Sequence, residues 1–158
     1  MSVADGQVFL QRPAASGGYV VSPRDSVSRI GQAAAAPALR AVGGGAARLQ
    51  LVQADDADAF GAAAGYSAAH AAALRMHAAL HQRPAAPRRL SEQVAALLAL
   101  RSLSVASAEP AHVRDALDKL VARLHSDPQA EAAMRDIDAT GELTSASAAA
   151  LEAVVRNA

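Results

Sequence analysis

The chain has 158 residues with 15 basic and 15 acidic side chains, no cysteine and no tryptophan, and 44 of its residues are alanine. That length fits one domain, or one domain with a tail. Zero net charge argues against a general nucleic-acid binder, which needs a basic surplus, and the absence of cysteine excludes a thiol nucleophile, a zinc–thiolate cluster and a disulfide framework.

Leu, Ile, Val and Phe together number 33, and the aromatics are only Phe9, Phe60, Tyr19 and Tyr66, so little bulky apolar side chain is available for a core. No apolar run is long enough to span a bilayer. The first residues show neither a basic segment nor the apolar run of a cleaved signal peptide. We therefore expect a cytoplasmic protein, or one exported without a cleaved signal peptide.

The first 57 residues hold seven of the ten glycines and read as a low-complexity Gly/Ala/Ser arm, flexible or folded into a short β-hairpin. β-leaning runs occur at 7–11, 19–21 and 49–52. An alanine-rich stretch at 30–42 has helical character but is interrupted by Pro37 and ended by Gly43, Gly44 and Gly45. The boundary with a helical domain, residues 58–158, is placed at 57/58.

Asp55, Asp56 and Asp58 suit a helix N-terminus, predicting a helix from 58 to about 82 that Pro84 stops. Ser91 is an N-cap candidate for a second helix, whose stretch 94–105 is apolar nearly all round and so belongs at the centre of the fold. Pro110 opens a third helix, in which Val113, Leu117, Leu120 and Leu124 recur at helical spacing. Asp127 and Pro128 start a fourth helix through Met134 and Ile137. After a turn at Gly141, Thr144 caps a last helix carrying Leu151, Val154 and Val155 inward, with Leu143 as a hydrophobic staple. The expected fold is mostly α: a small antiparallel bundle of four to five helices.

Two patterns carry potential chemistry. Residues 136–144 resemble the front of an EF-hand calcium loop, with Asp136, Asp138 and Thr140 at oxygen-ligand positions, Gly141 at the sharp turn and Glu142 beside it. Ser147 stands where the loop's bidentate glutamate belongs, so we prefer the plainer reading: surface carboxylates next to a helix cap. His70, His77 and His81 share an arc of about 40° on one helix. His77 and His81, four residues apart, are candidate transition-metal ligands; a packed histidine stripe is the preferred reading. The same stripe would charge a packing face in acid.

No phosphate-binding glycine loop, Gly-x-Ser-x-Gly or His-Glu-x-x-His occurs. We expect a non-enzyme without cofactor. The favoured function is a helical protein-interaction module: an adaptor, a chaperone-like partner, or an accessory or substrate of a bacterial specialised secretion system. Its partner would be another protein held through an apolar helix face, with no nucleic acid and no membrane span. The alternative is an ion or pH sensor working through 136–147 or through the His70, His77 and His81 stripe.

Overall fold

The computed structural model describes residues 5–12, 19–29, 31–59, 68–82, 85–101 and 108–157. The chain is mostly helical, with two short antiparallel strand pairs near its N-terminus. Strand β1 (Gly6–Gln7) pairs with β4 (Val27–Ser28), and β2 (Leu10–Gln11) pairs with β3 (Val20–Val21). Between the two ladders the returning chain bulges through 22–26. Ser22 N–H donates to the Phe9 carbonyl at 2.8 Å, and the buried Ser22 hydroxyl donates to Asp25 at 2.7 Å. Gly6 is required on the outgoing strand, because a Cβ there would stand 2.6 Å from the Val27 carbonyl oxygen.

A 3₁₀ turn (Gly31–Ala34) leads into α1 (Pro37–Ala41). Pro37 begins this helix instead of interrupting one, since proline fits the first turn, where its missing N–H has no partner to lose. Gly43, at φ +82°, ends α1, and α2 (Gly44–Ala59) follows at once. Residues 49–52 are therefore helical, against the strand expectation. Ala47 and Leu51 are buried one turn apart while Leu49 is exposed, a helical pattern that the neighbouring Leu49 and Val52 hide in the sequence.

Of the helix expected from 58 to 82, the described residues show the end of α2 and α3 (Ala68–Leu80); residues 60–67 lie outside the described set. Asp55, Asp56 and Asp58 thus fall in the last turns of a helix and not at its start, and the anticipated boundary at 57/58 lies inside α2. Ala38, Val42, Ala47 and Leu51 join the hydrophobic core alongside residues from the C-terminal half.

Helix α4 (Leu90–Ala99) is buried on all sides, with every residue from Val94 to Ala99 in the interior. Its N-cap is Arg89. Ser91 lies inside the first turn, where its side chain serves a tertiary contact described below. Leu103 lies outside the described residues.

Helix α5 (Pro110–Ser126) buries Val113, Leu117, Leu120 and Leu124, as the spacing predicts. Asp127 caps α6 (Pro128–Thr140) by accepting from the backbones of Gln129 at 2.9 Å and Ala130 at 3.0 Å. Gly141 adopts the left-handed C-cap conformation at φ +73°. Thr144 caps α7 (Ser145–Arg156) by accepting from Ser147 N–H at 3.1 Å, and Leu143 packs against the core ahead of the cap. The backbone N–H of the fully buried Ala38 donates to the Gly141 carbonyl at 2.9 Å, tying α1 to the turn between α6 and α7.

Candidate functional site

Alanine and glycine shape a broad concave feature. Where α1, α2, α3 and α4 face one another, Gly44, Gly45, Ala47, Ala79 and Ala96 offer no bulk to fill the space between backbones. The result is a half-open groove of about 710 Å³. Leu39 and Leu51 form one wall, Leu80 the other and Leu97 part of the floor. Tyr19 and Val21 of the β-ribbon make a lip, and both side chains are largely exposed. Arg48 fixes that lip by donating to the carbonyls of Pro23 at 3.2 Å and Ser26 at 2.7 Å.

The polar part of the lining is cationic or neutral. Arg40, Arg48 and Arg88 contribute guanidinium groups, and His77 and His81 stand at the C-terminal end of α3. Among the described residues no Asp or Glu lines the groove. Arg88 is committed to structure: one nitrogen donates to the Ala79 carbonyl and another lies 3.8 Å from Asp118. Arg40 and Arg48 carry no ion pair with a carboxylate among the described residues.

A second feature joins α4, α5 and α6. The Ser91 backbone and hydroxyl donate to the two oxygens of Asp138 at 2.8 and 2.9 Å. Arg89 lies 3.7 Å from Asp138 and 3.6 Å from Glu92. His125 Nδ1 is 2.6 Å from Glu131, so this nitrogen carries the proton. Its Nε2 lies 3.1 Å from an Arg89 nitrogen and 3.3 Å from Glu92. Arginine only donates and a carboxylate only accepts, so Nε2 bonds to one or the other and not to both at once. These groups hold helices together.

The four candidate calcium ligands lie at and just after the C-terminal end of α6. Asp136 and Asp138 lie within the last turns of α6 and not in a loop. Asp138 faces α4, whereas Asp136 meets Ser147 of α7 at 3.4 Å. Thr140 is engaged locally, donating to the Asp136 carbonyl and accepting from Glu142 N–H. Glu142 is exposed. Of the histidines, His77 and His81 are half-buried along the groove, and the side chain of His70 lies outside the described set. Among the described residues no three His, Cys, Asp or Glu side chains converge as a metal-ligand set.

Sequence reasoning did not anticipate the groove or the Ser91–Asp138 clasp. The groove's lining is drawn from five separate segments and has no local motif. Arg88 and Arg89, between α3 and α4, each tie helices together without any motif to mark them. No protein-family model matches the chain, and no curated protein matches it. Among the described residues no helix is long and apolar enough to cross a membrane.

Proposed function

We propose that this protein is a non-catalytic interaction module, an antiparallel bundle of four to five helices that receives an amphipathic helix of a partner protein in the groove between α2, α3 and α4. The observation that carries this reading is the groove's apolar wall of small residues. Helix axes approach to about 8–10 Å only when the contact side chains leave room, and Gly44, Gly45, Ala47, Ala79 and Ala96 leave it. Exposed Tyr19, Val21 and Leu80 at the lip supply large apolar surface to cover such a helix. An adaptor, a chaperone-like partner, or a secretion accessory or substrate each fits this description.

The test uses a neutral amphipathic peptide of about four helical turns, with leucines on one face and glutamine elsewhere. Added to the isotope-labelled full-length protein, it should shift the amides of Ala79, Ala96 and Leu97. Ala96→Phe, which fills the floor, should weaken binding about tenfold. Shifts scattered away from the groove, or unaffected by Ala96→Phe, would remove the groove from consideration.

A further inference from the structure

Within the interaction-module reading, on which this step rests, we infer that the groove selects an acidic amphipathic helix: a leucine-type stripe for the apolar floor, flanked by Glu or Asp side chains that meet Arg40 and Arg48. The whole chain is neutral, with 15 cations balanced by 15 carboxylates, yet among the described residues no Asp or Glu lines the groove. Charge has been segregated there, and a concave, low-dielectric wall concentrates the resulting field.

The three arginines are not equivalent. Arg88 lies on the α3–α4 side, its side chain only 12% exposed and its charge offset by Asp118. Arg40 and Arg48 lie eight residues apart on the α1–α2 side, and both are exposed. Arg48 directs one nitrogen to backbone carbonyls of the ribbon, contacts that bring no carboxylate to it among the described residues. Arg40 projects from the end of α1 with no such duty among the described residues. The α1–α2 rim is therefore the positive edge. An incoming helix would place its carboxylates along that edge and its leucines over Leu51, Ala96 and Leu97. A basic helix would bury the same stripe at the cost of like-charge repulsion.

Three peptides with one leucine face and Glu, Gln or Lys flanks test this by titration against the full-length protein. The Glu peptide should bind about five- to tenfold tighter than the Gln peptide, the gain expected of two exposed ion pairs, and the Lys peptide weakest. Raising salt from about 50 mM to about 300 mM should shrink that advantage. Arg40→Glu, an exposed position that leaves the ribbon tether intact, should erase the preference for Glu over Gln. Equal binding of the Glu and Gln peptides would overturn the acidic preference and leave the groove reading standing. If none of the three binds, the groove reading itself fails. If laurate displaces the Glu peptide from the groove and itself binds more tightly than any peptide, the site is one for an anionic acyl chain, and the inference is overturned.

Discussion

Asp138 shows how far a residue's role departs from its local pattern. In sequence it is the third position of a calcium-like loop, yet both its oxygens accept hydrogen bonds from Ser91, a residue with no exposed surface. Asp138→Ala would leave a buried N–H and a buried hydroxyl without an acceptor, a loss of about 2–4 kcal/mol readable as a lower urea midpoint. Asp138→Asn keeps one acceptor oxygen and should cost roughly half as much. Because the carboxylate is already occupied, calcium added to about 1 mM should move neither the melting temperature nor the Gly141 amide resonance. Gly141 itself separates backbone strain from crowding. A Cβ there meets nothing within 4 Å, but the residue sits at φ +73°. Gly141→Ala should therefore cost about 1–2 kcal/mol from conformation alone, measured by the same denaturation.

At the scale of elements, legibility followed side-chain size. Helices α5, α6 and α7 were readable because Val113, Leu117, Leu120, Leu124, Ile137 and Leu151 stand out among small or polar neighbours, and because Pro110, Asp127, Gly141 and Thr144 mark helix ends. Helix α2 was not, for two physical reasons. Its Gly44–Gly45 start lacks a capping side chain, and Leu49, Leu51 and Val52 present both helical and strand spacings at once. Burial decides between them: Leu51 is 5% exposed and Leu49 58%. Leu51→Ala should accordingly destabilise by about 2–3 kcal/mol, while Leu49→Ala stays within about 0.5 kcal/mol. Thermal melts of the two variants check this, and equal losses would contradict the helical assignment. The α7 cap offers a smaller effect: Thr144→Ala should cost about 1 kcal/mol, because the Ser147 N–H loses its acceptor.

The whole molecule is uneven, and its unevenness explains why the candidate site was invisible in sequence. Around α4 the core is filled by Leu, Val, Met and Ile side chains from α5, α6 and α7. On the other side, α2 and α3 contribute mainly alanine, and space remains. Besides the groove, a second hollow of about 390 Å³ lies against Val42, Ala46, Ala72 and Met76. Ala47 of α2 and Leu97 of α4 border both hollows. The alanine excess could be read from composition, but where it leaves a void depends on which helices face each other, and that is decided by Leu51, Met76 and the α4 leucines acting across long sequence separations. A region with so little buried bulk should open at lower free energy than the rest. Amide hydrogen exchange should show residues 46–52 of α2 and 71–79 of α3 exchanging at least about tenfold faster than 94–99 of α4 and 133–137 of α6, since a difference of about 1.4 kcal/mol in opening free energy gives that ratio. Filling the groove floor with Ala96→Leu should narrow the gap, because the added side chain buries more apolar surface there. An occupant helix should narrow it further, protecting α2 and α3 selectively while α6 stays unchanged. Uniform exchange across all four helices would mean that the alanine-walled half is held as firmly as the leucine-filled half, and the groove would then be a rigid surface with no stability to gain from a partner.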